Sequence, residues 1–304
     1  MANSPLVRKA SHAASWYSAS PPQLNAQLDG WLADVKTPVT CIGPLSAGQT
    51  VAELPVAGAR VIIAPHAGYA YSGPAAAWAY KAWDVSKAKR VFLLGPSHHH
   101  YLTKAALTRC THYATPLGNL PIDRATTADL HKTGHFDWMT PSVDEDEHSL
   151  EMHLPYIYKT LSKSVPSALH HPRPPPQPTS KLTATTTRTF GPDPTSPTFP
   201  PLIPLLIGNT TPATEKALAL LLAPYLADPT SAFVISSDFA HWGTRFRYTY
   251  YRPHPPGPAQ QQLTATPRAG ARAIHESIRE VDFECMGACE AGVHGGWCGV
   301  LEGA

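Results

Sequence analysis

Four short runs of consecutive apolar residues along the chain predict buried β-strands. The runs cover residues 61–64, 91–94, 202–207 and 233–236 and consist mostly of Val, Ile, Leu and Phe. They are too short and too rich in β-branched and aromatic residues to be read as helices. Runs that are apolar on both faces are typical of parallel strands that helices cover on both sides.

Helical patterns separate these runs, so the chain alternates between strand and helix signals. Ser20 followed by two prolines predicts a helix start, and the apolar residues after it share one helical face. Further helices are predicted at 75–83, 147–161 and 214–226. Pro155 is expected to kink or split the second of these, because proline cannot donate the interior hydrogen bond. The alternation indicates an α/β fold, a mostly parallel central sheet with helices on both faces.

Three stretches without a clear helix or strand period are predicted to be disordered insertions. They are residues 37–58, 164–200 and 253–270, and the last two hold many of the 33 prolines. Such sequence neither propagates a helix nor pairs in a central sheet. We interpret residues 1–304 as a single domain that these insertions interrupt. Their composition is more typical of solvated linkers than of ligands for an aromatic groove.

Charge and cysteine content exclude several classes of function. Lys and Arg number 24 against 22 Asp and Glu, and no basic run marks a surface for nucleic acid or an anionic membrane. Five cysteines are too few, and odd in number, for a secreted disulfide scaffold. The N-terminus lacks the apolar core of a signal peptide, and Pro224 interrupts the longest apolar stretch. These features predict a cytoplasmic protein without membrane insertion and without a nucleic-acid partner.

Three of the four predicted strands run into a turn that contains a histidine. His66 follows the first strand, His98 opens a triple-histidine turn after the second, and His241 follows the fourth together with Asp238. Ligands bind beyond the carboxyl ends of strands in open α/β sheets, so we expect these side chains to converge. Neutral imidazole is the commonest metal ligand. Asp238 is expected either to join the site or to orient a histidine.

A structural role is the alternative interpretation of these residues. A lone buried histidine is more often a hydrogen-bonded core residue than a ligand, and the chain has 16 histidines. Three histidines in equivalent turns favour a functional site over a structural role.

The acidic run 144–151 has two interpretations as well. It is typical of a solvated helix start, while His148 and Glu151, one helical turn apart, are candidates to reach the pocket.

Six motifs, in order, resemble the Memo family. They are KASHAASWYSASPPQLNAQLDGWL, VIIAPHAGYAYSGPAAAWAYK, VFLLGPSHHHYL, TPLGNLPID, DEDEHSLEMHLPY and VISSDFAHWGTRFRYTYY. Together they cover nearly all of the chain outside the three insertions. By this resemblance the domain is similar in fold to the class III extradiol dioxygenases, which use a non-haem Fe(II), and the central sheet is expected to be mixed.

The resemblance carries further expectations for the site. It implies binding of copper or iron, and roles in redox control and receptor-driven cell motility. It also implies phosphotyrosine peptides as partners, a cytoplasmic location that extends to the nucleus, and leaves a metal-dependent oxidoreductase activity open. The expected metal ligands are His66, His98 and His241, with Asp238 beside them. From the residues themselves, and not from the resemblance, we expect His99, His148 and Glu151 to support these ligands without binding the metal.

The end of the chain departs from the family pattern. Memo proteins continue into a segment of the form CGRHPIG, whose cysteine faces the histidines, and this sequence does not contain it. Cys298 precedes a glycine but lacks the Arg-His-Pro continuation, so the ligand role is not transferred to it. We therefore expect a truncated or diverged C-terminus.

A zinc knuckle is the alternative interpretation of the cysteines near the end of the chain. Its spacing is approached by Cys285, Cys289, His294 and Cys298, but the intervals differ and no zinc site is predicted.

The sequence is compatible with three hypotheses about function. The first is a metal-binding redox protein with His66, His98 and His241 as ligands. The second is a non-catalytic adaptor that binds phosphotyrosine peptides in the same cleft. Arginine is the usual partner of phosphate, and only Arg245 and Arg247 lie close in sequence to the site. The third is an inactive remnant left by truncation.

Overall fold

The computed structural model describes residues 5–164, 199–253, 267 and 271–291. The eleven strands within these ranges are β1 (Val7–Arg8), β2 (Val39–Thr40), β3 (Thr50–Val51), β4 (Val61–Ala64), β5 (Arg90–Pro96), β6 (Ala105–Leu107), β7 (His112–Thr115), β8 (Gly118–Pro121), β9 (Phe136–Trp138), β10 (Leu202–Ile207) and β11 (Ser231–Ser236). The α-helices within them are α1 (Pro21–Asp34), α2 (Tyr69–Ala82), α3 (Arg124–Lys132), α4 (Pro141–Asp146), α5 (His148–Glu151), α6 (Leu154–Ser164), α7 (Pro212–Ala227) and α8 (Ile274–Glu290).

The central sheet is mixed and mostly parallel, which confirms the predicted fold class. Its six strands lie in the order β4-β11-β5-β10-β6-β9, and β6 runs antiparallel to β10 while the other neighbours are parallel pairs. The neighbours β4, β11 and β5 therefore end at the same edge of the sheet. The turns that carry His66, His98 and His241 all begin at this edge.

Successive residues of the central strands pack into separate apolar clusters. Val91 and Leu93 of β5 belong to one cluster, with residues of α1, α2 and α6, whereas Phe92 belongs to the other. Leu218 and Leu222 of α7 close the second cluster. Helices thus cover both faces, which explains why the strand sequences are apolar without alternation. In the described ranges no helix has the length and apolar character needed to cross a bilayer.

Two of the predicted helices differ from the prediction in their boundaries. Helix α2 begins at Tyr69 rather than at residue 75, and it continues through Pro74. The helix predicted at 147–161 is split, as Pro155 suggested, because α5 ends at Glu151 and α6 begins at Leu154. Pro155 occupies the first turn of α6, where a missing N–H forfeits no intrahelical hydrogen bond.

The short strands outside the central sheet show no period in the sequence and are not predicted from it. Residues 37–58, one of the three stretches interpreted as insertions, contain the short antiparallel pair β2 and β3. Strand β1 pairs parallel with β7, and β7 pairs antiparallel with β8. The other two stretches, 164–200 and 253–270, lie almost entirely outside the described residues.

One buried arginine joins β1 to α4 and α5. Arg8 is 1% exposed, and its guanidinium donates to Asp144 Oδ1 at 3.0 Å and to Glu151 Oε2 at 2.7 Å. It also donates to the backbone carbonyls of Lys9, Asp144 and Glu147. Asp144, Glu147 and Glu151 are each at most 1% exposed, so the expectation of a solvated acidic helix start is wrong here. Buried charges are tolerated because their hydrogen-bonding capacity is satisfied.

Arg8→Ala should destabilise the fold by about 3–5 kcal/mol, because it leaves two carboxylates buried without their cation. Lys9→Ala is the matched control. The Lys9 side chain is 82% exposed and lies 3.8 Å from Glu145, so its removal should have no measurable effect. Urea unfolding at pH 7 measures both free energies. Equal values for the two variants would contradict the assignment of Arg8.

A second buried polar group lies between α5 and α6. His153 is 1% exposed, its Nδ1 lies 2.8 Å from the Tyr80 hydroxyl, and its Nε2 has no hydrogen-bond partner among the described residues. Burial, reinforced by the nearby His66, lowers the pKa of His153 to about 3. An unfolded histidine has a pKa of about 6.5. The imidazole therefore stays neutral in the folded protein over a range in which the unfolded chain takes up a proton.

Stability should fall as the pH is lowered below about 6.5, because the proton binds to the unfolded state of His153 and not to the folded one. One such group contributes a slope of about 1.4 kcal/mol per pH unit. His153→Gln should flatten the dependence by this amount, whereas His135→Gln, at an exposed histidine, should leave it unchanged. Urea unfolding between pH 7 and pH 5 provides the comparison. A single slope shared by all three proteins would count against this account.

Candidate metal centre

The turns after β4 and β5 and the start of α5 bring three imidazoles together. His66 lies two residues beyond β4, His98 lies two residues beyond β5, and His148 is the first residue of α5. One ring nitrogen of each lies within 4.8 Å of the other two. The rings of His66 and His98 have centroids 5.2 Å apart, and those of His98 and His148 stack at 4.2 Å. Within the described part of the chain, this is the group dense enough to hold a metal ion.

His66 is held by β11, the strand next to its own. Its side chain is almost fully buried, and its Nδ1 lies 2.6 Å from the Ser236 hydroxyl at the end of β11. The Ser236 hydroxyl lies 2.8 Å from the backbone carbonyl of Ser149, to which it donates. With Nδ1 engaged in this way, Nε2 is the nitrogen that His66 offers to the pocket.

His98 is held by a buried carboxylate. Its Nδ1 lies 2.9 Å from Glu147 Oε1, and its backbone N–H donates to Glu147 Oε2 at 2.7 Å. The Glu147 side chain is 2% exposed, while that of His98 is 36% exposed. Nε2 is therefore the nitrogen of His98 that remains for a ligand. A carboxylate on the far nitrogen of an imidazole is the arrangement that orients metal-binding histidines.

His148 has an unsatisfied ring nitrogen. Its Nδ1 lies 3.5 Å from Glu147 Oε1, which is too long for a hydrogen bond, and it has no other partner among the described residues. The indole of Trp16 packs against its ring with centroids 4.5 Å apart. A buried polar atom without a partner is rare, and a bound ligand is one way to satisfy it. The unpartnered nitrogen is therefore compatible with a cation beside the three rings.

Asp238 and His241 lie near the same ring nitrogen of His66, Nε2. Oδ1 of Asp238 accepts hydrogen bonds from the backbone N–H groups of His66 and Ala67. Its Oδ2 lies 3.7 Å from His66 Nε2 and 3.5 Å from His241 Nε2. The His241 side chain is 46% exposed and does not belong to the close group of three. His66 thus takes part in two sets of donors, one with His98 and His148 and one with Asp238 and His241.

Burial keeps the imidazoles of His66 and His148 neutral. Desolvation lowers the pKa of His66 to about 4, against the attraction of the Asp238 carboxylate. Desolvation, together with the neighbouring His98, lowers the pKa of His148 to about 4. Burial alone would raise the pKa of Glu147, but the hydrogen bonds from His98 and Ser149 outweigh it and bring that pKa to about 2. Neutral imidazoles beside an ionised carboxylate are the protonation states that metal binding requires.

An open cavity of about 1110 Å³ is lined by His66, His98, His148, Asp238 and His241. Cys285 and Cys289, which the sequence places on one helix face, both line it from α8. Arg245 and Arg247 line it as well. The aromatic lining consists of Trp16, Tyr71, Phe239, Phe246 and Tyr248, together with the histidines. Apolar walls with a few convergent polar groups are typical of sites for small molecules.

The supporting residues predicted from sequence occupy different places. His99 is exposed, with its ring centroid 6.5 Å from that of His98. Glu151 does not belong to the close group of histidines, and its carboxylate accepts from Arg8, Tyr17 and the backbone N–H of His12.

Sequence reasoning gave no role to Glu147 or Ser236 and did not place His148 among the donors. The signals for them are weak. Glu147 is one acid in an acidic run, and Ser236 is one of two serines at a strand end. Only the fold shows that these residues meet the rings of His66 and His98.

Comparison with known proteins identifies the family. The family model described as Memo-like protein matches residues 8–171 and 198–302. Protein MEMO1 of Xenopus tropicalis is 45% identical over 251 residues, which cover 83% of this chain and 68% of the relative. Human Protein MEMO1 is 43% identical with the same coverage. The Protein memo-1 homolog of Caenorhabditis elegans is 35% identical over 277 residues, which cover 91% of this chain and 64% of the relative. These matches confirm the resemblance seen in the motifs, and the chain belongs to the Memo-like family.

Proposed function

We propose that this chain binds copper or iron in its histidine pocket and acts in redox-linked cell signalling of the motility type. The observation that best supports metal binding is the close group of His66, His98 and His148, with one nitrogen of each within 4.8 Å of the others. The engaged Nδ1 atoms of His66 and His98 support it, because they leave Nε2 of both rings for a ligand. The signalling role is the one that the family resemblance implied.

The donor set fits the proposed metals. Imidazole nitrogen suits iron and copper, and a neighbouring carboxylate favours iron. Three protein ligands leave coordination positions open, so a bound iron or copper ion would supply Lewis-acid and one-electron chemistry at the wall of the cavity. The chain's own residues then hold the ligating rings in place. Glu147 and Ser236 hold two of the rings, and Trp16 covers one face of the third.

Two candidates for the third ligand follow from the two donor sets that share His66. In the present geometry His148 completes a close group with His66 and His98. His241 was the ligand expected from the family motif, and it approaches His66 through Asp238. His66 belongs to both sets, and His98 to the close set. A variant that lacks both of these rings removes the site under either assignment.

The double variant His66→Ala/His98→Ala should lose stoichiometric binding of Fe(II) and of Cu(I), measured anaerobically by competition with a chromophoric chelator. The expected loss in affinity is at least 100-fold, because two of three ligands are absent. His100→Ala/His135→Ala, which removes two exposed imidazoles, should bind like the wild type. Unchanged binding by the first variant, or no binding by the wild type, would refute the proposal.

Single variants in the same assay assign the third ligand. His148→Ala should weaken binding more than His241→Ala does if the close group is the site. The opposite order would assign the role to His241, as the motif predicts, with Asp238 between it and His66.

A second candidate is an adaptor that binds phosphotyrosine peptides. The observation in its favour is that Arg245 and Arg247 line the same cavity as the aromatic side chains, so a phosphate and a ring fit together there. Fluorescence polarisation with a phosphotyrosine peptide in the presence of chelator provides the test. Binding that Arg245→Gln/Arg247→Gln abolishes and His66→Ala/His98→Ala leaves intact supports the adaptor. Absence of binding, or equal binding of the unphosphorylated peptide, excludes it.

A further inference from the structure

The protons around Ser236 can be assigned by counting donors and acceptors. A hydroxyl group has one proton to donate. The Ser236 hydroxyl donates it to the backbone carbonyl of Ser149 at 2.8 Å, because a carbonyl oxygen can only accept. Ser236 Oγ must therefore accept from His66 Nδ1, which lies 2.6 Å away. His66 is thus protonated on Nδ1, and its lone pair is on Nε2.

The same count applies to Glu147. Its ionised carboxylate has no proton to donate, and the structure gives it three N–H groups to accept. They are the backbone N–H of His98 at 2.7 Å, the backbone N–H of Ser149 at 2.9 Å, and Nδ1 of His98 at 2.9 Å. His98 is therefore also protonated on Nδ1. Two histidines that follow different strands are held in the same tautomer.

Ser149 joins the two assignments. Its N–H donates to Glu147, its carbonyl accepts from Ser236, and its hydroxyl donates to the backbone carbonyl of Pro96 at 2.7 Å. The residue is fully buried. The close approach depends on Gly95, since a Cβ at that position would lie 2.6 Å from Ser149 Oγ. One residue of α5 thus connects the ends of β5 and β11, which precede and support the two rings.

Helix capping does not account for these contacts. Glu147 is the N-cap of α5, and capping requires only the bond from the N–H of Ser149. The bonds from the backbone and the ring of His98 go beyond that need. Likewise, Ser236 would satisfy its own hydroxyl by donating to Ser149 alone. The additional hydrogen bonds of Glu147 and Ser236 all come from His98 and His66.

We infer that Glu147 and Ser236 are positioning residues, which fix His98 and His66 in the Nδ1–H tautomer so that both Nε2 lone pairs face the cavity. This inference deepens the proposed metal function, on which its relevance to binding rests. The tautomers themselves are a property of the metal-free protein and can be measured there.

Glu147→Gln and Ser236→Ala should each change one ring and not the other. A glutamine amide has one accepting oxygen and one donating NH₂ group, so it can no longer accept from both N–H groups of His98. His98 should then become a mixture of tautomers, while His66 keeps the Nδ1–H tautomer. Ser236→Ala should release His66 and leave His98 unchanged. Long-range ¹H–¹⁵N correlation spectra of the metal-free, ¹⁵N-histidine-labelled protein report each tautomer. Asp146→Asn, at the exposed acid beside Glu147, is the control that should change neither ring.

Affinity for Fe(II) and Cu(I) should fall about 10- to 100-fold in both variants, as for other groups that orient metal-bound histidines. Wild-type tautomers in both variants overturn the inference, whatever the metal does. Altered tautomers with unchanged affinity overturn the link between positioning and metal binding. If the wild type binds neither metal while the tautomers respond as stated, the positioning roles stand and the proposed metal function fails. Ser236→Ala, which only removes one oxygen, keeps the test available if Glu147→Gln does not fold.

Discussion

The burial of three carboxylates in one short segment is the constraint around which this structure is organised. Asp144, Glu147 and Glu151 lie in the interior, where an uncompensated charge would cost several kcal/mol. Each one therefore needs hydrogen-bond donors around its carboxylate. Arg8 serves Asp144 and Glu151, and Glu147 takes its donors from His98 and Ser149. The N-terminal strand, the segment α4–α5 and the candidate site are held together by this one requirement.

The sequence predicted the parts of the fold that rest on consecutive apolar residues. All four runs are strands of the central sheet, and the split at Pro155 occurs where the missing N–H demands it. Convergence of the histidine turns on one edge follows from three neighbouring parallel strands. The short strands β1, β7 and β8 were not predictable, because they depend on pairing with distant residues and carry no pattern of their own.

The candidate site was predictable only in part, for a related physical reason. His66 and His98 are recognisable because each lies in the turn that directly follows an apolar run. His148 is not, because it belongs to an acidic run whose composition suggests a solvated surface. Its position depends on Arg8, a residue 140 positions away that neutralises the same segment. Burial of a charged segment is decided by its partners in space, which local sequence does not report.

Gly95 and Ser149 have a consequence for the natural variation of this family. The missing side chain at one position makes room for the hydroxyl of the other, and the pair sets how closely β5 approaches α5. The two positions are therefore not free to change independently. A larger residue at position 95 would meet both the Ser149 hydroxyl and the side chain of Leu150, so it requires a change at position 149, which would also alter the hydroxyl that ties α5 to Pro96. Among relatives, these two positions should vary together or not at all.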